Sequence, residues 1–132
     1  MATIKAAVDD LLDPRRPVQA AMDAHFAPAF RQRVNGSWLD RAAFINGIVQ
    51  LRAVLGHASI TVLDELGEGA RYAEHHRIDL IMRDGAVVSR EVYVFAERDQ
   101  QGRFVWIDEA SIPATDGRAP SASGVDNLVD KH

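Results

Sequence analysis

Four side chains in the C-terminal half of the sequence could carry acid/base chemistry: Glu91 and Tyr93, two residues apart, then Glu109, and His76 of the His75-His76 pair. A carboxyl group that faces an apolar hollow resists ionisation, and the raised pKa suits it to exchanging protons near neutral pH. Beside such a glutamate pair, Tyr93 would donate a hydrogen bond to a developing oxyanion. The competing expectation is structural, with each glutamate paired to an arginine of a neighbouring element, such as Arg90, Arg77 or Arg31. Adjacent residues in a strand point to opposite faces, so His75 and His76 cannot chelate one metal together. His76 shares the more apolar side with Tyr72, Ile78, Leu80 and Met82, which makes it the pocket candidate, the alternative being a hydrogen-bonded core histidine. The sequence holds no helical or loop metal-ligand spacing, no Gly-x-Ser-x-Gly elbow and no Gly-rich strand-to-helix loop, so neither a metal nor a cofactor is expected.

These residues need a sheet to position them. Residues 71–112 read as three strands rich in β-branched and aromatic side chains, joined by turns at Arg83-Asp84-Gly85 and Asp99-Gln100-Gln101-Gly102. Upstream, Ile4, Val8, Leu11 and Leu12 recur at helical spacing behind Thr3 as N-cap, and Asp13-Pro14 stops that helix. A second helix starts at Pro17 and carries Val18, Ala21, Met22, His25 and Phe26 on one side until Pro28, with His25 expected as a structural histidine. A short extended piece then leads into the Asn35-Gly36 turn. Asp40 caps the longest helix, whose apolar stripe is Phe44, Ile48, Leu51 and Leu55, with Gly56 as its C-terminal glycine. From Ala58 onward the period changes to two. Helices first and hairpins afterwards is the order of an α+β domain, expected over residues 1–112; the polar stretch 113–132 is too poor in apolar residues to offset its own ordering entropy and is expected to form a flexible tail.

At 132 residues the chain is long enough to bury a core without disulfides, and it has no cysteine. A net charge of −4, with arginines spread through the chain, disfavours nucleic-acid binding. Neither a signal peptide nor a membrane span is supported, so a cytoplasmic protein is expected. The last strands carry large apolar groups on both faces, Tyr93 and Phe95 opposite Val92 and Val94, whereas a sheet covered on one side should show a polar outer face. A sheet-to-sheet homodimer would cover the second face; the alternative is that the interspersed Arg, Asp and Glu keep it wet.

The element order together with Leu39-Asp40-Arg41-Ala42-Ala43-Phe44, Met82-Arg83-Asp84-Gly85, Val92-Tyr93-Val94-Phe95 and Gly102-Arg103-Phe104-Val105-Trp106-Ile107-Asp108-Glu109 resembles the nuclear-transport-factor-2-like superfamily, in particular its SnoaL-like bacterial members. The resemblance implies a curved antiparallel sheet wrapped as a cone around the long helix, with two shorter N-terminal helices, a hydrophobic pocket at the open end, and pairing through the sheets. It includes ketosteroid isomerases, dehydratases, epoxide hydrolases and polyketide cyclases as well as accessory proteins, so fold alone does not settle function. Carried over by position, it places Asn35 where the isomerases have an aspartate base, Glu91 and Tyr93 on the strand that supplies an acid or donor, and Glu109 beside Ile107 as a pocket-lining group. The expected catalytic set is therefore Glu109, Glu91, Tyr93 and His76, with Trp38, Asn35, Phe95 and Ile107 against the ligand. The expected function is binding of a hydrophobic small molecule, with cofactor-free isomerisation, dehydration or cyclisation; the alternative is a non-catalytic ligand-binding or homodimeric accessory module.

Overall fold

The computed structural model describes residues 1–114. The elements run α1 (Ile4–Leu12), α2 (Val18–His25), β1 (Phe26–Val34), β2 (Ser37–Asp40), α3 (Arg41–Val54), β3 (Leu55–Glu68), β4 (Arg71–Met82), β5 (Val87–Arg98) and β6 (Phe104–Pro113). The strands form one six-stranded sheet in the order β2-β1-β6-β5-β4-β3. All neighbours are antiparallel except β1 and β6, which are parallel. Register shifts between Val62 and Asp64 in β3 and between Glu97 and Arg98 in β5 mark irregularities of the kind that bend a sheet. The result is an α+β fold in which a mostly antiparallel, curved sheet carries three helices.

Local chemistry explains most boundaries. Thr3 Oγ1 accepts from Ala6 N at 3.2 Å to start α1, and Asp40 Oδ1 accepts from Ala43 N at 2.8 Å to start α3. The turn between β4 and β5 holds Gly85 at φ 92°, and that between β5 and β6 holds Gly102 at φ 78°, both left-handed positions that favour glycine. Two expectations need correction, those on Phe26 and Gly56, and the short strand β2 is an addition to them. Phe26 is not on the second helix but opens β1, and the β1–β6 pairing shifts between Phe26 and Arg31, a stretch that contains Pro28, which lacks a backbone donor. Asn35-Gly36 closes a hairpin, so Trp38 and Leu39 lie in the short strand β2. Gly56 lies inside β3 rather than ending α3; a Cβ there would sit 3.0 Å from the Ile81 carbonyl oxygen. Of the polar stretch expected as a tail, Pro113 closes β6 and Ala114 N donates to Ser89 O at 3.0 Å; residues 115–132 lie outside the described residues.

The dense end of the core is aromatic. Phe26, Phe30, Phe104 and Met22 are fully buried, and the rings of Phe26 and Phe44 stand 5.4 Å apart. The N-terminus closes this end: Ala2 N donates to Gly102 O at 2.6 Å, Arg98 Nη1 to Ala2 O at 3.1 Å, and Ile4 N to Tyr72 Oη at 3.1 Å. Toward the other end α1 lies over the sheet, tied to α3 by one side chain. Arg52 donates from Nε to Leu11 O at 2.6 Å and from Nη2 to Asp10 O at 3.3 Å, satisfying carbonyls at the end of α1, and from Nη1 to Arg16 O at 2.7 Å in the loop that leads to α2. His25 Nε2 meets Asp10 Oδ2 at 2.6 Å, which ties α2 to the same point. Among the described residues no helix is long and apolar enough to cross a membrane.

Arg52→Met keeps the aliphatic stem but removes these charged donors. Urea unfolding should show a loss of about 2 kcal/mol with an unchanged m value; a loss below about 0.5 kcal/mol, the range of ordinary surface changes, would mean that Arg52 does not hold α1 in place.

Candidate active site

Cross-strand register decides which side chains meet. Glu74 of β4 lies opposite Val94 of β5, which lies opposite Glu109 of β6; the next row is His76, Val92 and Ser111, and the one after it Ile78, Arg90 and Pro113. Residues paired this way share a face, and alternation keeps every second residue on it. In the parallel pair, Gln32 of β1 lies opposite Ile107. These rows form the concave wall of a cavity of about 230 Å³, and Ala7, Val8 and Leu11 of α1 with Phe44, Ile48 and Leu51 of α3 supply the rest. Facing a cavity rather than packed atoms explains why α3, although it leans on the core, has no fully buried residue.

Five polar side chains look into this otherwise apolar space: Gln32, His76, Arg90, Glu109 and Ser111. Burial pushes the Glu109 carboxyl above its ordinary value; Gln32 Nε2, donating to Glu109 Oε1 at 2.5 Å, and the nearby His76 pull the other way without prevailing. His76 Nδ1 meets Glu74 Oε1 at 2.7 Å, and both side chains are buried. In the tautomer that donates from Nδ1 to the Glu74 carboxylate, a neutral imidazole presents Nε2 as an acceptor, and Nε2 has no hydrogen-bond partner among the described residues. The second Glu74 oxygen is buried and unpartnered, a cost that a leucine at this position would avoid. Chemically, the wall offers a carboxylate-oriented imidazole and, about two strand spacings or ~10 Å away along the sheet, a carboxyl that tends to keep its proton.

The expected site residues divide between the two faces. Glu109, His76 and Ile107 line the cavity. Glu91, Tyr93 and Phe95 do not: they stand on the outer face, because their cross-strand partners are Arg77, His75 and Ala73, which alternation turns away from the Glu74–His76 side. There Glu91 Oε2 accepts from Tyr93 Oη at 2.9 Å and meets His75 Nε2 at 3.0 Å, while the His75 and Tyr93 rings stack at 4.1 Å. The hydrogen bond from Tyr93, followed by that from His75, holds the Glu91 carboxyl below its ordinary value, the reverse of what a buried proton donor needs, and the same contact raises the Tyr93 phenol. Trp38 is also outside the cavity, half exposed with the Arg31 guanidinium 4.4 Å from its ring centroid. Asn35, at φ 46°, is a fastener: its Oδ1 accepts from Ser111 N at 2.9 Å and its Nδ2 donates to Ser111 O at 3.2 Å.

Glu74, Gln32, Arg90 and Ser111 were not expected in the site. The signal for Glu74 was present in the hairpin spacing. With the β4–β5 turn centred on Asp84, His76 must oppose Val92, so Glu74 comes inside with it while Tyr93 goes outside with His75.

The sequence matches no family model and no curated protein. The fold does match solved structures. An NTF2-like protein of unknown function from an Exiguobacterium species is 17% identical at a TM-score of 0.63, over 85% of this chain and 98% of that one. A candidate isomerase from Rhodopseudomonas palustris is 10% identical at 0.67, over 83% and 86%. IdmH, a candidate polyketide cyclase from Streptomyces antibioticus, is 13% identical at 0.62, over 81% and 90%.

Because the folded-state pKa of Glu109 lies above the unfolded value of about 4.5, the folded chain binds more protons between the two values. Its contribution to stability is therefore lost as pH rises through that window. Glu109→Gln should make the protein more stable than the wild type at pH 7 and leave the two equal below pH ~4. Carbon-13 titration of the Glu109 carboxyl by NMR should show the raised value directly, and an ordinary one would remove it as a proton donor. The chain has the nuclear-transport-factor-2-like fold.

Proposed function

We propose that this protein binds a hydrophobic small molecule in the cavity beneath α1 and α3 and isomerises, dehydrates or cyclises it by cofactor-free acid/base catalysis. The observation that carries this reading is the convergence of His76, oriented by Glu74, and Glu109, of raised pKa, on one apolar space. In that reading His76 Nε2 takes a proton from carbon next to a carbonyl, and the Glu109 carboxyl gives one to the carbonyl oxygen on which negative charge develops. Glu74 acts as a positioning residue through His76. The cavity size bounds the ligand. An apolar cavity of ~150 Å³ holds benzene, so about 230 Å³ suits one or two rings or a short chain rather than a four-ring skeleton.

A bicyclic ketone tests the chemistry without knowledge of the natural substrate. In D₂O the wild type should accelerate exchange of the α-protons of 2-tetralone, seen by proton NMR. Glu109→Gln should lower that rate by about 10²-fold, the usual scale of one general acid, while binding persists. The second reading, a non-catalytic ligand-binding or accessory module, is favoured by the hydrogen bond from Gln32, which satisfies Glu109 in the absence of ligand. It predicts binding of 2-tetralone with no change in exchange.

Pairing through the sheets belongs to the same proposal. Leu66 is 68% exposed and Phe95 63% exposed on strands whose other side is core, and Tyr93 and Ile112 add half-exposed apolar surface. A second copy would cover this face. Sedimentation should give a dimer for the wild type and a monomer for Phe95→Lys; a wild type that stays monomeric at about 100 µM, which implies a dissociation constant of roughly 1 mM or weaker, would reject the pairing.

A further inference from the structure

Arg90 is the cavity group that neither the acid/base pair nor the fold explains. It lies on β5 in the row beyond His76 and borders the same space as Glu109. No carboxylate among the described residues pairs with Arg90; its partner is Ser111, whose Oγ accepts from Nε at 2.9 Å and whose carbonyl oxygen accepts from Nη2 at 2.9 Å.

That arrangement has a directional consequence. A guanidinium is planar and presents five N–H groups in a fixed fork. Ser111 occupies the edge formed by Nε and Nη2, which fixes the plane. The remaining edge, Nη1 with the second Nη2 proton, has no acceptor among the described residues, and Nη1 is not among their buried unpartnered atoms. Ser111 is held in turn by both ends of the Asn35 amide, so the turn between β1 and β2 fixes the serine that fixes the arginine. A cation held rigid on one edge and vacant on the other is arranged for a planar anion, which it can grip with two parallel hydrogen bonds.

We propose that Arg90 is a specificity-determining residue that selects ligands bearing a carboxylate on a one- or two-ring or short-chain apolar body, with the body against α1 and α3 and the carboxylate on the free Nη1–Nη2 edge. This rests on the ligand-binding reading of the cavity and narrows it from hydrophobic molecules in general to amphiphilic acids. The geometry also separates tasks: His76 and Glu109 stand on the rows nearer the aromatic end, so the anion would hold the apolar body against them without occupying them.

Two probes of nearly equal shape, 2-naphthoate and 2-naphthamide, measure this directly by isothermal titration calorimetry at pH 7 and fixed ionic strength. The wild type should bind 2-naphthoate at least about tenfold more tightly, the effect of one charge-assisted pair. Arg90→Met, which keeps the stem, should abolish the preference and leave the affinity for 2-naphthamide unchanged, and Arg90→Lys should retain part of it. If 2-naphthamide binds and 2-naphthoate is not preferred, or if the preference survives in Arg90→Met, the role of Arg90 is overturned while the cavity reading stands. If neither probe binds the wild type, both are overturned. Should Arg90→Met fail to fold, Arg90→Gln, which can still donate to Ser111, carries the same expectation.

Discussion

Cross-strand register is the constraint on which everything else in this molecule rests. Once the turn at Asp84 sets His76 opposite Val92, and the turn at 99–102 sets Val94 opposite Glu109, no side chain on β4, β5 or β6 is free to choose its face. Glu74, His76, Arg90, Glu109 and Ser111 come to the concave side together. His75, Glu91 and Tyr93 go to the convex side together and satisfy one another there. A slip of one residue in either hairpin would exchange the two sets, which is why the glycines at positive φ in those turns matter to the site as well as to the fold.

The two ends of the interior are built differently. At the aromatic end Phe26, Phe30 and Phe104 fill the space, and the N-terminus is hydrogen-bonded across it. Toward Arg90 and Ser111 the helices stand off the sheet. There the apolar faces of α1 and α3 meet polar groups that a purely structural core would have replaced by hydrocarbon. A buried carboxylate with one unpartnered oxygen and a carboxyl pushed toward its neutral form each reduce stability. Their presence on one wall, beside an unfilled volume, is the physical basis of the proposed chemistry.

Much of the fold was legible in the sequence because helical and strand periods, caps and turns are local signals. Thr3, Asp40, Gly85 and Gly102 stand where their chemistry places them. Phe26 misled because its spacing continues the stripe of α2, and only pairing with β6 shows that it begins a strand. The site was half legible for a different reason. Alternation correctly grouped Glu91 with Tyr93 and Phe95, and His76 with Ile78, but which group faces inward is a property of paired strands, not of one. Choosing the inner face strand by strand put Tyr93 and His76 in the same hollow, which the hairpin forbids. Ser111 and Arg90 gave no local signal of their role, which appears only when Asn35, five elements away along the sequence, is seen to fasten the end of β6.

The central claim is that the concave wall carrying His76 and Glu109 is the ligand face. Intermolecular nuclear Overhauser effects between bound 2-tetralone and methyl-labelled protein test it most directly. The account predicts contacts to Ile48, Ile78, Val92 and Ile107, which line the cavity. Contacts to Leu66 and Ile112 of the outer face, with none to the cavity methyls, would contradict it.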